Sequence, residues 1–91
     1  MELSDFVGQP CTSHLAYEFF PKKQQKLDLK KIANQLRKKG FLVDFETPIF
    51  IGLQIEKTKV SFFQDGKIMV KDTKQKEAAT KIAQKIVSAL N

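Results

Sequence analysis

The chain of 91 residues has few of the residue types that support disulfide, thiol or metal chemistry. Cys11 is its one cysteine, so no disulfide can form within the chain, which fits a reducing compartment. The first residues lack the basic and then apolar segments of a secretory signal peptide. No apolar run approaches the ~20 residues that span a bilayer. These absences predict a cytoplasmic protein with no membrane partner.

His14 is the one histidine, and it follows Cys11 at a metal-ligand spacing. A structural zinc site needs about four ligands, so the set would have to be completed across a dimer. Residues three apart in a strand also point to opposite faces of the sheet. Cys11 and His14 would therefore neither bind the same metal ion nor form a thiol–imidazole nucleophile pair. The sequence therefore predicts no metal site and no cofactor.

The acidic residues are scattered, with no pair at a spacing suited to acid–base catalysis. The four glycines are spread along the chain and form no phosphate-binding loop. We therefore predict that the protein is not an enzyme.

Arginine is almost absent, since Arg37 stands against fifteen lysines, and the net charge is +6. A basic surplus favours an acidic partner, such as nucleic acid, an anionic membrane surface or an acidic protein. Lysine offers a point charge instead of a planar fork, so contacts with nucleic acid would go mainly to phosphates. One cluster of basic residues surrounds the first predicted helix. The cluster indicates either a solvated helix face or a second electrostatic patch. Its residues are Lys22, Lys23, Lys26, Lys30, Lys31, Lys38 and Lys39.

The apolar patterns predict one domain over residues 11–91, after a poorly ordered lead of residues 1–10 that ends in Gly8-Gln9-Pro10. A strand is predicted over residues 11–20 and ends at Pro21. A helix is predicted over residues 27–39, with Asp28 as its N-cap and Gly40 just after its end.

The second half of the chain predicts strands at residues 49–56, 60–63 and 67–71, with a short extended piece at 41–45. Gln64-Asp65-Gly66 joins the last two strands as a hairpin turn, since glycine accepts a positive φ. The last helix is predicted to start near Asp72-Thr73, with Asp72 as N-cap and Gln75 in a capping box, and to run to Leu90.

These elements predict an α+β fold: an antiparallel sheet of four or five strands, with two helices on one face, in the order β-α-β-β-β-α. Alternation along the strands leaves the other sheet face open to solvent or to a partner. The candidate residues for binding nucleic acid or a protein partner are those that face outward: Phe50, Gln54, Lys59, Ser61, Phe63, Lys67, Met69 and Lys71.

The order of the elements and the residues from 60 to 90 resemble one repeat of the TATA-box-binding-protein fold. That repeat has an apolar strand ending in Phe, a turn ending in Gly-Lys, a second apolar strand and a helix rich in Ala and Ile. The corresponding pieces here are Phe62-Phe63, Gly66-Lys67, Ile68-Met69-Val70 and residues 77–90, and Leu27-Asp28-Leu29 also matches the start of the first helix.

The resemblance implies a half-saddle, because the family carries two repeats and this chain has one. A homodimer would supply the second half. In the family, the concave sheet face meets the minor groove of DNA and pairs of Phe wedge between base steps. Phe63 corresponds to one wedge and Phe50 is nearest to the other, while Met69 and Lys71 replace a Val-Thr pattern.

Two functions follow as hypotheses. The first is a small basic module that binds nucleic acid through the open sheet face as a homodimer. The alternative is a protein-interaction or dimerisation module whose sheet face or edge meets a protein, with no binding of nucleic acid.

Overall fold

The structure is a computed structural model that describes residues 3–10, 16–23, 26–71 and 75–90. Its elements, after a short 3-10 helix at Leu3–Asp5, are β1 (Phe6–Pro10), β2 (Ala16–Pro21), α1 (Leu29–Lys38), β3 (Leu42–Glu46), β4 (Phe50–Ile55), β5 (Thr58–Phe63), β6 (Ile68–Lys71) and α2 (Lys76–Leu90).

The strands form one antiparallel sheet in the order β1-β2-β6-β5-β4-β3. The predicted α+β class with an antiparallel sheet and two helices is confirmed. The predicted count of four or five strands is wrong, because the sheet has six. Compared with the predicted order β-α-β-β-β-α, the additional strands are β1 and β3, of which β3 covers most of the predicted extended piece, so the chain order is β-β-α-β-β-β-β-α.

Strand β1 lies within the segment that we predicted as a lead into the domain. Phe6 is buried in the hydrophobic core, and Gly8 lies beneath the rings of Tyr17 and Phe19. A Cβ atom on Gly8 would lie 2.9 Å from a ring carbon of each aromatic residue. Glycine at this position therefore leaves room for the rings of Tyr17 and Phe19 to pack against β1.

The core forms between one face of the sheet and both helices. The strand residues in it alternate along each strand, so they project from the same face. The sheet contributes Phe6, Tyr17, Phe19, Ile51, Leu53, Ile55, Val60, Phe62, Ile68 and Val70, and the helices contribute Leu29, Ile32, Ala33, Leu36, Ala79, Ile82, Ala83, Ile86, Val87 and Ala89.

The ends of α1 follow the predicted chemistry. The Asp28 carboxylate accepts from the backbone N–H groups of Lys30 and Lys31, at 3.2 and 3.4 Å, and so caps the N-terminus. Gly40, with φ of +93°, follows the helix in the left-handed region.

Helix α2 begins later than predicted, at Lys76. Gln75 therefore precedes the helix, so the predicted capping box, which needs Gln75 inside the first turn, is wrong. Asp72 itself lies outside the described residues, as do Cys11 and His14. Among the helices that the structure describes, none is both long and apolar enough to cross a membrane.

Candidate binding face on the uncovered side of the sheet

The sheet face opposite the helices carries all eight residues that the sequence placed there. We call it the uncovered face, because α1 and α2 both pack on the other side. The strand pairings arrange its side chains in three rows that run across the strands. The rows differ in chemistry, and each positions a different part of the candidate site.

The first row is aromatic and contains Phe50, Phe63, Lys67, Phe20 and Val7. Phe50 pairs with Phe63 across β4 and β5, and their ring centroids are 5.6 Å apart. Val7 pairs with Phe20 across β1 and β2. The three Phe side chains are half-buried, so each ring rests on the sheet and still presents an accessible surface.

Lys67 lies between two of these rings. Its Nζ atom is 4.4 Å from the centroid of Phe63 and 5.7 Å from that of Phe20. The same atom lies 3.3 Å from Oε2 of Glu18. Cation–π attraction and the ion pair both hold the ammonium on the sheet surface. Glu18 therefore partly neutralises the charge of Lys67 in the absence of a ligand.

The middle row contains small or unbranched residues: Gly52, Ser61, Met69 and Glu18. Ser61 was predicted to face outward and does so, yet its residue surface is only 4% exposed. It lies lower than its neighbours because larger side chains on the adjacent rows rise above it. Ser61 therefore lies at the base of the uncovered face and does not project from it.

The third row contains Leu42, Gln54, Lys59 and Lys71. Leu42 pairs with Gln54, and Gln54 pairs with Lys59. Lys59 and Lys71 flank the paired residues Val60 and Val70, so they continue the same register as neighbours. Within the part of the chain that the structure describes, neither lysine forms an ion pair. Two adjacent lysines that lie outside the ion pairs of the described residues make this row basic.

A β-bulge in β3 brings Phe45 onto the uncovered face. Val43 pairs with Leu53, Phe45 pairs with Gly52, and Asp44 between them is the extra residue. Simple alternation would direct Phe45 towards the helices together with Val43, but the bulge reverses its direction. Phe45 is 63% exposed and rests on Gly52.

Hydrogen bonds between loops fix the aromatic end of the face. The Thr47 hydroxyl donates to the Phe50 carbonyl at 2.7 Å and accepts from the Phe50 N–H at 2.9 Å. The backbone of Gln64 donates to Ile49 and accepts from Leu27, both at 2.8 Å. The turns beside Phe50 and Phe63 are therefore tied to each other and to the segment before α1.

The basic cluster predicted around α1 has Lys30, Lys31 and Lys38 in that helix, which packs on the other face of the sheet. A surface groove of about 570 Å³ opens there, beside the start of the helix. Lys26 and Lys30 line it, but so do the carboxylates of Asp28 and Glu46. Asp28 already occupies the first free N–H groups of the helix. Two lysines of the cluster thus have acidic neighbours in this groove, as Lys59 and Lys71 have Asp44 near them.

Sequence reasoning missed several residues of the uncovered face: Val7, Glu18, Phe20, Leu42 and Phe45. Alternation within the first predicted strand puts Glu18 and Phe20 on one face and Tyr17 and Phe19 on the other, but apolar residues on both faces left the core face undecided. Val7 depended on finding β1, for which the adjacent apolar residues Phe6 and Val7 were the available signal. The position of Phe45 depended on the bulge, for which the sequence has no evident signal.

The side chains offer no metal-binding arrangement where they are described. In residues 3–10, 16–23, 26–71 and 75–90, no group of three or more His, Cys, Asp or Glu side chains could hold a metal ion. No protein-family model matches the chain, and no curated protein or solved structure shows significant similarity to it.

Proposed function

We propose that the protein binds nucleic acid through the uncovered face of its sheet. The observation that carries this proposal is the mixture of half-buried Phe rings and lysines on one surface that neither helix covers. Phe20, Phe50 and Phe63 offer faces for bases, and Lys59 and Lys71, which form no ion pair among the described residues, offer positive charge for phosphates. Aromatic platforms with basic borders are the usual means of binding bases and backbone together.

The proposed arrangement is a homodimer of single repeats that resemble the TATA-box-binding-protein fold. Phe50 and Phe63 lie side by side at one end of the face, which supports their use as one apolar pair against a base step. A second copy, joined through one of the sheet edges β1 or β3, would extend the face and supply a second pair.

Binding of labelled oligonucleotides, followed by fluorescence anisotropy at low salt, tests the proposal. Single-stranded and duplex 15-mers should bind with dissociation constants near or below ~10 μM, and affinity should fall as salt increases. Phe63→Ala should weaken binding about tenfold, because it removes a stacking surface. Lys38→Gln, on the helix layer, is the matched control and should change little. No binding of either oligonucleotide at ~100 μM protein would overturn the proposal.

A protein interface on the same face is the second candidate function. It is favoured by the large apolar side chains that are exposed there, Val7 at 51%, Leu42 at 57% and Phe45 at 63%. They lie on the edge strands, at opposite ends of the sheet. Exposed apolar groups on a shared surface often mark a site of association.

Light scattering on wild type and Phe63→Glu separates the two candidates. If the uncovered face is the dimer interface, a buried carboxylate should dissociate the dimer into monomers. If the face binds nucleic acid, the same variant should keep its oligomeric state and lose salt-sensitive binding of oligonucleotides. Leu42→Glu provides a second probe of the interface, at the β3 edge.

A further inference from the structure

A small cavity on the uncovered face lies between the aromatic row and the lysine row. Its volume is about 150 Å³, and most of its lining is apolar. Phe45 and Phe50 line two of its sides, and Gly52 and Ser61 belong to its lining in the middle row. Lys59 and Lys71 border it on the third row.

The cavity exists because the middle row carries small side chains there. A Cβ atom on Gly52 would lie 3.0 Å from a ring carbon of Phe45, so even alanine would displace that ring. Ser61, the next residue in the row, is likewise too small to reach the level of its neighbours. Larger residues at these two positions would close the cavity.

The volume of the cavity limits the size of the group that it can bind. A cavity of about 150 Å³ accommodates one benzene-sized ring. A single six-membered ring fits this volume, whereas a purine with two fused rings exceeds it. A base within a duplex is stacked and paired, so a ring can enter only from a single strand or after leaving the stack.

The charges around the cavity favour an anionic ligand. Lys59 and Lys71 lie on adjacent strands, which are about 4.8 Å apart in a sheet. Neither has an ion-pair partner among the described residues, so a phosphate could relieve their mutual repulsion. Asp44 also lines the cavity, and its carboxylate can accept from an N–H group of a base, such as N4 of cytosine.

We propose that this cavity holds one pyrimidine base of a single-stranded nucleic acid, with the adjoining phosphates on Lys59 and Lys71. The inference rests on the proposed function and sharpens it to a substrate class. Phe45 and Phe50 contact the ring, and the small residues beneath them set the size limit. The aromatic row continues from Phe50 to Phe63 and Phe20, where neighbouring bases stack without a limit on ring size.

The test compares labelled dT15, dC15 and dA15 by anisotropy at one salt concentration. Wild type should bind dT15 and dC15 about tenfold more tightly than dA15, the effect of one well-seated base. Strand flexibility alone can also favour pyrimidines, so the decisive variant is Ser61→Leu, which fills the cavity without changing charge. It should reduce the pyrimidine preference to about twofold while the affinity for dA15 stays within about twofold.

Phe45→Ala removes one wall and gives a second variant, in case Ser61→Leu does not fold. Phe45 is largely exposed, so its truncation should preserve the fold and still reduce the pyrimidine preference. Ile49→Ala is the matched control, because Ile49 is also exposed, at 66%, and does not line the cavity. Circular dichroism of each variant confirms that it is folded before binding is compared.

Lys59→Gln and Lys71→Gln should each lower the slope of log K against log salt by about 0.7, the value for one phosphate contact on a single strand. Lys38→Gln should leave the slope unchanged. Unchanged slopes in both Lys59→Gln and Lys71→Gln would contradict the proposed phosphate contacts.

Four results would overturn the inference. Equal affinity of wild type for all three oligonucleotides, or a preference that survives both Ser61→Leu and Phe45→Ala, would mean that the cavity does not select the base while the proposed function stands. A change in oligomeric state with Ser61→Leu and no change in base preference would show that the cavity receives a protein side chain. Failure of every oligonucleotide to bind wild type would remove the proposed function itself.

Discussion

The ammonium group of Lys67 lies over the ring of Phe63, with Nζ 4.4 Å from the ring centroid. Its second partner is the carboxylate of Glu18, whose side chain is only 13% exposed. The pair therefore joins the centre of the sheet to the aromatic row of the uncovered face. The charge of Lys67 therefore stabilises the fold and also lies on the surface that is proposed to bind a ligand.

Lys67→Met should lower the free energy of unfolding by about 1–2 kcal/mol. The variant keeps the aliphatic stem but loses the cation–π contact and leaves the mostly buried carboxylate of Glu18 without its partner. Urea unfolding measures the change. The double variant Glu18→Gln/Lys67→Met should recover part of the loss, and Lys38→Met on the helix layer should be nearly neutral. A Lys67→Met variant as stable as wild type would show that the contact contributes nothing.

Thr47→Val should destabilise the turn that positions Phe50. The hydroxyl makes hydrogen bonds to both backbone groups of Phe50, and valine has the same shape without them. We expect a loss of about 1–2 kcal/mol in unfolding free energy, together with chemical-shift changes at Phe50 and Gln64 in NMR spectra. Thr47→Ser keeps the hydroxyl and should behave almost as wild type. Equal losses for the two variants would place the effect in packing instead of hydrogen bonding.

Lys57→Gly should stabilise the protein. Glu56 and Lys57 form the turn between β4 and β5, with φ of +51° and +68°, in the left-handed region that side chains disfavour. Glycine at the second position of such a turn removes this strain, and its greater freedom in the unfolded chain offsets part of the gain. We expect a net gain of about 0.5–1 kcal/mol, seen as a Tm that is a few degrees higher. Lys57→Ala keeps a Cβ atom and should show no gain.

The ion pair between Glu56 and Lys85 should contribute to stability in a pH-dependent way. The hydrogen bond from Lys85 and its charge lower the pKa of the Glu56 carboxyl. Because the folded pKa is depressed, this contribution is present above the pKa of the unfolded chain and is lost as pH falls through the folded pKa. In Lys85→Met, an NMR titration should find the Glu56 pKa shifted upward, towards its ordinary value. An unchanged Glu56 pKa in Lys85→Met would contradict the ion pair. Lys76→Met is the control and should leave the Glu56 pKa as in wild type.

Local chemistry made several elements predictable. Asp28 before an apolar stripe and Gly40 after it marked both ends of α1, because capping depends on adjacent backbone groups. Asp65-Gly66 between apolar runs marked the last hairpin, where Gly66 has φ of +98°. Alternation along β4, β5 and β6 assigned their residues to the correct faces. In each case the signal and the structure that it produces lie within a few residues.

Longer-range relationships were not predictable in the same way. Among residues 6–9 of β1, Phe6 is the one buried apolar side chain, so the segment resembles a lead into the domain until β2 pairs with it. The start of α2 at Lys76 also differed from the position suggested by Asp72 and Gln75. Strand β1 is defined by its pairing with β2, which a reading of its own residues does not show.

The sequence by itself determined that this chain forms an antiparallel sheet with helices on one face, since period and capping are properties of neighbouring residues. It also determined that Phe50, Phe63, Lys67 and Lys71 lie on the other face. Tertiary structure decided what that face contains. The bulge at Asp44 turned Phe45 outward, and pairing across strands placed Lys59 beside Lys71 and left a cavity above Gly52 and Ser61. Register between strands depends on the hydrophobic pattern of both partners and on the turn that joins them, so no single strand encodes it.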